Sequence, residues 1–248
     1  MDRLIYTALS GMNASMTRER VIASNMANTQ TTGFRAETLK SDAVTLVDGG
    51  PQVRALNRTE VGGADMKHGT VTPTGQPLDV ALEGDAMLTV QPGEGGEAYT
   101  RRGDLSVSNT GILQNGDGLP VLGDGGPITV PPGASVTVAP DGMVLAKDPT
   151  TPDAPATQIG KLKLANWRGS NLAKGLDGLF RVPNGGVLPA DPDAKLQPGA
   201  LEGSNVSATG VLVQMVEAQR LFDMRSKVMS TAKELDEHSA TLMRLSSN

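Results

Sequence analysis

The sequence contains no cysteine, and this absence removes several kinds of chemistry. Without cysteine the chain can form no disulfide, perform no thiol catalysis and offer no thiolate to a metal ion. Its stability then depends on no particular redox compartment, and assembly in an oxidising one would create no unwanted cross-links.

Aromatic residues are also scarce, at 2% of the chain, so a core must be built from Val, Leu, Ala and Met. Thirty glycines and sixteen prolines indicate many turns. This combination favours a β-rich structure over a helical bundle.

Long apolar runs and a strong positive charge are missing as well. No stretch approaches the roughly 20 apolar residues that span a bilayer. The net charge is −5, which gives nucleic-acid binding little electrostatic support. The first residues, "MDRLIYTALSGMNASM", mix polar and apolar positions. We therefore expect no cleaved secretory signal peptide.

Motifs for catalysis or cofactor binding are absent from the sequence. It has no Gly-Lys-Ser/Thr phosphate loop, no Gly-x-Ser-x-Gly nucleophile motif and no carboxylate pair that spacing alone identifies. His68 and His238 are interpreted as solvated, and "NGDGLPVLGDGG" as hairpin turns rather than a calcium loop. The sequence thus predicts no catalytic, cofactor-binding or metal-binding residues, and it favours a structural or interaction protein.

The two ends of the chain have helical periodicity. A helix is predicted from about residue 3 to 27 and another from about 206 to 245, with Asn205 as N-cap of the second. The apolar seam of the first contains Ile5, Leu9, Met12, Met16 and Met26. The second has a heptad series of Leu221, Val228, Leu235 and Leu242, beside a stripe through Leu212, Met215 and Phe222. Either seam could pack on its own domain. Because a hairpin of the two helices would leave part of each wide stripe uncovered, we predict that these residues form an assembly interface.

The middle of the chain has the pattern of short strands and turns. In "SVTVAPDGMVLA", Val136 and Val138 precede Asp141-Gly142 and Val144, which predicts a hairpin. Further short strands are predicted around 78–82, 105–113 and 162–164, and loops over 147–157 and 183–199. The predicted fold is α+β, in which long N- and C-terminal helices pair as a coiled-coil-like layer and a central antiparallel β domain forms a barrel or sandwich.

The chain is predicted to have five segments. These are the N-terminal helix and turn (1–35), an extended and partly β connector (36–77), the central β domain (78–183), a return connector (184–204) and the C-terminal helix (205–248).

Three sets of motifs together resemble the flagellar rod and hook protein family. The first is an Asn-x-Ala-Asn-x-x-Thr-x-Gly-Phe signature, carried by Asn25, Ala27, Asn28, Thr31, Gly33 and Phe34. The second comprises "PLDVALEG" (77–84), "YTRRGDLSVSNTGIL" (99–113) and "LPVLGDGGPITVP" (119–131). The third is "LEGSNV" (201–206), which contains Ser204, Asn205 and Val206, followed by "EAQRLFDM" (217–224). Their order and spacing cover most of the chain.

The resemblance implies a non-enzymatic subunit of the basal-body rod, without cofactors, and details of the motifs favour a proximal rod subunit. A distal rod or hook-type subunit is the nearest alternative. The implied partners are other rod proteins, copies of the same chain and, in transit, the flagellar type III export apparatus, with no nucleic acid and no membrane insertion. The implied location is a rod that crosses the periplasm.

A cell-wall-binding β module on a coiled coil is a third possibility, from a different functional class. It would need an aromatic platform or a carboxylate pair. The central region offers only Tyr99, Trp167 and Phe180 for such a platform.

The motif loop has a specific interpretation at the residue level. Asn25 and Asn28 fall at the end of the first helix, where an asparagine can bond to free carbonyls and neighbouring backbone. Gly33 permits a backbone geometry that a side chain would hinder. Phe34 is expected to anchor the departing chain in an apolar pocket.

Overall fold

The computed structural model describes residues 2–45, 55–93, 95–148 and 155–245, with side chains for 9–42, 59–93, 95–148 and 155–234. The chain forms two compact units. Unit 1 contains residues 1–28, 37–65 and 206–248, and unit 2 contains residues 29–36 and 66–205. Each unit is therefore discontinuous in sequence.

Helices and antiparallel strands make up the described residues, which confirms the predicted α+β class. The two α-helices are α1 (Asp2–Ala27) and α2 (Ala208–Leu245). The strands are β1 (Glu37–Thr45), β2 (Ala55–Ala64), β3 (Val71–Pro73), β4 (Val80–Leu82), β5 (Ala86–Val90), β6 (Ala98–Thr100), β7 (Leu105–Val107), β8 (Leu113–Asn115), β9 (Leu122–Gly123), β10 (Gly126–Pro127), β11 (Ser135–Val138), β12 (Met143–Lys147), β13 (Thr157–Lys161), β14 (Leu164–Asn166), β15 (Ala173–Lys174), β16 (Phe180–Arg181), β17 (Leu196–Pro198) and β18 (Ala200–Glu202).

Unit 1 combines the two helices with the β1–β2 hairpin. Ile22 of α1 packs with Val211 and Ala218 of α2 in a small buried cluster, which Val206 also contacts. Further along, Arg225 of α2 contacts Gly11 and Ser15 of α1. From Val211 to Arg225 along α2, the contacted residue of α1 changes from Ile22 to Ser15 and Gly11. The two helices are therefore antiparallel.

Ser207 and not Asn205 caps α2. The helix begins at Ala208, and the Ser207 Oγ accepts a hydrogen bond from the amide of Gly210 at 3.3 Å. The prediction of Asn205 as N-cap was therefore wrong by two residues. The side chain of Asn205 is instead used inside unit 2, as described below.

Unit 2 is an assembly of short antiparallel sheets around one apolar core. Its largest sheet has five strands in the order β14-β5-β6-β16-β15, and a second has the order β11-β12-β13. The core side chains come from most of these strands, and fully buried members include Val80, Leu88, Val90, Leu113, Val121 and Val144. Each such side chain contributes roughly 1.5–3 kcal/mol by leaving water, so small aliphatic residues replace the missing aromatics.

Several local predictions can be compared with these strands. The hairpin over 135–147 is confirmed, because β11 and β12 pair in register around Gly142, which has a φ of +83°. The strand predicted around 78–82 is present as β4, and all three of its residues are buried. β4 pairs with β17, which lies in a segment that the sequence analysis treated as loop. The prolines and glycines of residues 183–199 interrupt any strand periodicity, so β17 was not predicted.

Candidate functional site

The predicted seam of α1 is largely exposed in the isolated chain. Leu9 and Met16 are 44% and 57% exposed, Met26 is also exposed, and Met12 is half-buried. The face of α1 that unit 1 buries lies about a third of a turn away, at 100° per residue, and includes Ala14, Ser15 and Ile22. The side chain of Ile5 lies outside the described residues. Unit 1 therefore leaves the predicted seam of α1 available for other contacts.

The apolar stripes of α2 are exposed in the same way. Leu212 and Val228 are 48% and 54% exposed, Met215 is also exposed, and Leu221 and Phe222 are half-buried. Val213, Val216 and Met224 extend the exposed apolar surface. The side chains of Leu235 and Leu242 lie outside the described residues. Rows of apolar side chains on two exposed helix faces are typical of surfaces that bury themselves against further helices.

Asn25 joins the end of α1 to the start of β1 within unit 1. Its Nδ2 donates to the carbonyl of Glu37 at 3.0 Å, and its Oδ1 accepts from the amide of Glu37 at 2.7 Å. The Asn25 amide therefore takes the place of a neighbouring strand for one residue. Asn28 donates through Nδ2 to the carbonyl of Ser24 at 2.8 Å, and its backbone amide donates to the same carbonyl at 3.2 Å, so Asn28 binds the last turn of α1 twice. Ala27 is the last residue of this helix.

Gly33 occupies a position in unit 2 that admits no side chain. Its φ is +68°, and a Cβ there would lie only 2.4 Å from the backbone carbon of Arg101. Its amide donates to the carbonyl of Glu202 at 2.7 Å. The loop thus fits closely against the rest of unit 2, and Thr31 closes the turn by accepting from the amide of Phe34 at 3.2 Å.

Phe34 is buried, and a cation covers its ring. The Nζ of Lys174 lies 3.5 Å from the ring centroid and also donates to the carbonyl of Arg35 at 2.8 Å. A cation placed on an aromatic face contributes about 0.5–2 kcal/mol, and more as the pair is desolvated. Lys174 was not predicted, since nothing in the sequence links it with Phe34.

A buried ion cluster lies next to this loop in unit 2. Glu202 Oε1 accepts from Arg35 Nη2 at 2.7 Å and from the amide of Gly69 at 2.8 Å. Glu202 Oε2 lies 2.8 Å from Arg101 Nε and 2.6 Å from Arg101 Nη2. The three charged side chains are at most 2% exposed. One carboxylate therefore connects three segments that are distant in the sequence.

All three guanidinium nitrogens of Arg101 donate hydrogen bonds. Nη1 donates to the carbonyls of Gly84 and Ala86, each at 2.7 Å, and Nη2 donates to that of Leu82 at 2.6 Å. This planar fork fixes the turn between β4 and β5 as well as β18. His68 Nδ1 lies 3.3 Å from Arg101 Nη2 at the edge of the cluster. The side chain of His68 is 52% exposed, in line with the predicted solvated histidine.

The charges in this cluster shift one another's protonation equilibria. Burial alone would raise the pKa of Glu202, but attraction to Arg101 and Arg35, with their hydrogen bonds, outweighs it and lowers that pKa below its ordinary value. Burial lowers the pKa of the Arg101 guanidinium, and Glu202 opposes this effect. Glu202 is therefore ionised near neutral pH.

Asn205 also joins this region of unit 2 together. Its Oδ1 accepts from the amide of Ala36 at 2.7 Å, its Nδ2 donates to the carbonyl of Lys67 at 2.9 Å, and its amide donates to the carbonyl of Phe34 at 3.3 Å. The motif residue Ser204 precedes it and is half-buried, and Val206 follows in unit 1. Residues 33–34 of the first motif and 202–205 of the third are thus hydrogen-bonded to each other within unit 2.

The sequence analysis missed Arg35, Arg101 and Glu202 as a group. Each lies within or directly beside a quoted motif, in "TTGFR", "YTRRGD" and "LEGSNV". One feature of the sequence could have pointed to them. Each is a charged residue near a glycine in a motif that otherwise contains mainly apolar or turn-forming residues. Sequence alone does not show that these charges meet, because Arg35 is 167 residues and Arg101 is 101 residues from Glu202 along the chain.

The described part of the chain contains neither a candidate metal site nor a helix that could span a membrane. Within residues 2–45, 55–93, 95–148 and 155–245 there is no group of three His, Asp or Glu side chains placed to hold a metal ion. Neither α1 nor α2, over the residues searched, contains an apolar stretch sufficient to cross a membrane.

Family models of flagellar proteins match three parts of the chain. A model described as flagella basal body rod protein matches residues 5–35, one described as flagellar hook protein FlgE/F/G D1 domain matches 81–146, and one described as flagellar basal body rod FlgEFG protein C-terminal matches 197–242. The first and third include the motif loop and Glu202 respectively. The second includes Arg101.

Curated relatives match nearly the whole chain. The chain is 39% identical over 99% of its length to all of the flagellar basal-body rod protein FlgF of Salmonella typhimurium, and 40% identical over 94% of its length to 95% of FlgF of Escherichia coli. It is also 34% identical over 98% of its length to all of the flagellar basal-body rod protein FlgG of Bacillus subtilis. The chain therefore belongs to the flagellar basal-body rod protein family, whose members are structural subunits and not enzymes.

Proposed function

We propose that this chain is a proximal rod subunit that polymerises through its terminal helices into the drive shaft of the flagellum. The observation that carries the proposal is the exposure of the apolar stripes on α1 and α2, which unit 1 does not cover. In a helical assembly one subunit contacts the next through different surfaces, so each stripe can be buried on a neighbour.

The proposed segments are those of the sequence analysis: a helical assembly layer from residues 1–35 and 205–248, connectors at 36–77 and 184–204, and a β domain at 78–183. In the assembly the helices form the layer that encloses the export channel. Close-packed helices resist deformation and so transmit torque. The β domain stiffens lateral contacts.

The proposed partners are other rod subunits and, in the assembled rod, copies of this chain. Before assembly the chain passes unfolded through the flagellar type III export apparatus, and the rod crosses the periplasm. The exposed stripes support a folding step that is completed at the growing tip, since an isolated helix with an uncovered apolar face is only marginally stable in water.

Two alternatives are separated by different observations. A distal rod or hook-type subunit is favoured by the 34% identity to FlgG of Bacillus subtilis, and cross-linking to neighbours in purified basal bodies would distinguish it. A cell-wall-binding module is disfavoured because Tyr99 and Phe180 are buried, so that of the three candidate aromatics only Trp167 is partly exposed.

Substitution of Val228 by aspartate tests the proposed interface. Burying an unpaired carboxylate in a helix contact costs several kcal/mol. Cells with Val228→Asp should therefore lose motility, and the chain should be missing from purified rods. Ser230→Asp adds the same charge at an exposed position of the same helix that is already polar, and should assemble far better than Val228→Asp. Normal rods in the Val228→Asp strain would contradict the proposal.

A further inference from the structure

Arg225 occupies a position on α2 where the heptad pattern calls for an apolar residue. The side chains that face α1 recur every seven residues, and the first two, Val211 and Ala218, are buried. Arg225 is the next in this series and is half-buried. A cation in such a seam lowers the apolar area that the helix pair buries, so its presence needs a reason other than hydrophobic packing.

The guanidinium of Arg225 binds a matched pair of acceptors on α1. Its Nη1 donates to the carbonyl of Gly11 at 2.6 Å and to the hydroxyl of Ser15 one turn later. A carbonyl oxygen has two lone pairs, so the Gly11 carbonyl can accept from Arg225 as well as from its partner in the helix. The bond is directional and charge-assisted, unlike the apolar contacts beside it.

Shifted pairings of the two helices would take the Ser15 hydroxyl away from Arg225. Heptad seams permit slips of seven residues, since similar side chains then face each other again. By sequence, one such slip places Arg225 opposite Leu4 and Ala8, and the other places it opposite Arg18 and Ile22. The first offers no side-chain acceptor and the second adds a like charge, so both are unfavourable.

The exposed stripes make such discrimination necessary. Leu9 and Met16 on α1, like Leu212 and Val228 on α2, present apolar surface that any amphipathic helix could cover. Hydrophobic contact is non-directional and does not by itself select a partner or a register. A single polar residue in a seam is a known way to fix both at some cost in stability.

We propose that Arg225 selects the helix with which α2 pairs, so that it binds its own α1 in one register rather than the stripe of a neighbouring subunit. The proposal rests on the proposed function in one respect only, namely that the competing helices are those of neighbouring rod subunits. It assigns the Gly11–Ser15 acceptor pair as the recognised feature. The stripes then remain free for assembly.

Disulfide trapping in the cysteine-free chain tests this assignment. Ile22→Cys with Val211→Cys places a reporter pair in the native cluster, and mild oxidation of the purified full chain should give an intramolecular cross-link. Adding Arg225→Leu should lower the ratio of intramolecular to intermolecular disulfide about tenfold, the factor that a lost charge-assisted hydrogen bond produces. Arg220→Gln removes the charge of an exposed arginine on the same helix without adding apolar surface; it is the control and should leave the ratio unchanged.

Two further variants separate selection from general destabilisation. Ser15→Ala removes one acceptor and should shift the ratio in the same direction by a smaller factor. Arg225→Lys retains the charge with fewer placed donors and should recover part of the loss. An unchanged ratio in Arg225→Leu, or no intramolecular cross-link in the parent pair, would overturn the proposal. Because the assay uses an isolated chain, its failure is distinct from a failure of rod assembly.

Discussion

The carboxylate of Glu202 and the guanidinium of Arg101 meet 2.6 Å apart, with both side chains almost wholly withdrawn from water. Arg35 shares the same carboxylate, so one negative charge compensates two positive ones. An ion cluster of this kind adds little net stability compared with an apolar packing, but it is costly to break from one side. The cluster instead holds three segments in place, because Arg35 directly follows the motif loop, Arg101 directly follows β6 and Glu202 lies in β18.

Neutralising Glu202 should strongly destabilise unit 2. In Glu202→Gln the two arginines remain buried without a counter-charge, and we expect a loss of about 3–5 kcal/mol in the free energy of unfolding. The sole tryptophan, Trp167, lies in unit 2, so its fluorescence in a urea titration reports the change. Glu83→Gln removes an exposed carboxylate nearby and should change stability by less than about 0.5 kcal/mol. Equal midpoints for the two variants would contradict this role of Glu202.

The same carboxylate predicts a pH dependence of stability. The pKa of Glu202 is lowered in the folded state from its ordinary value of 4.5. As pH falls below 4.5 the unfolded chain takes up a proton that the folded chain does not, so the stabilisation present at higher pH is lost progressively as pH drops through the folded-state pKa. Urea midpoints measured from pH 7 downward should fall more steeply for the parent chain than for Glu202→Gln. Parallel curves would show that Glu202 does not contribute.

Gly33 should tolerate no other residue. Alanine at this position would need a φ of +68°, which costs about 1–2 kcal/mol, and its Cβ would overlap the backbone of Arg101. We expect Gly33→Ala to lower the unfolding free energy by about 3 kcal/mol or more. Gly75 has a similar φ of +73° but open space around it, so Gly75→Ala isolates the backbone term and should cost only about 1–2 kcal/mol. A smaller effect at Gly33 than at Gly75 would be inconsistent with the close approach.

Phe34 should act as an anchor through both volume and ring. Phe34→Ala leaves a cavity and removes the surface under Lys174, so we expect a loss of about 3–5 kcal/mol in unfolding free energy. Phe34→Leu keeps most of the apolar volume and should cost less. Normal stability and normal rod assembly in Phe34→Ala would show that the anchor is dispensable.

Local patterns in the sequence were sufficient for the class of fold and for the hairpin around Gly142. Helical periodicity and Asp-Gly turns act over a few residues, so their physical basis is present in the chain itself. The apolar seam residues of α1 and α2 were also predicted from their spacing. The spacing did not show which helix face packs within unit 1 and which face is left exposed. That choice depends on small differences, such as Gly11 and Ser15 opposite Arg225.

What the sequence by itself determined is the presence of terminal amphipathic helices, a β-rich middle built from small aliphatic residues, and a set of motifs that resemble one family. Only the tertiary structure decided that Asn205 bonds across to Phe34 and Ala36 instead of capping α2, that β4 is buried on both faces, and that Arg35, Arg101 and Glu202 share one buried site. These features depend on contacts between residues far apart in the chain. Such contacts form only when the whole core is assembled, because a buried charge or amide is stable only where its partners are brought to it.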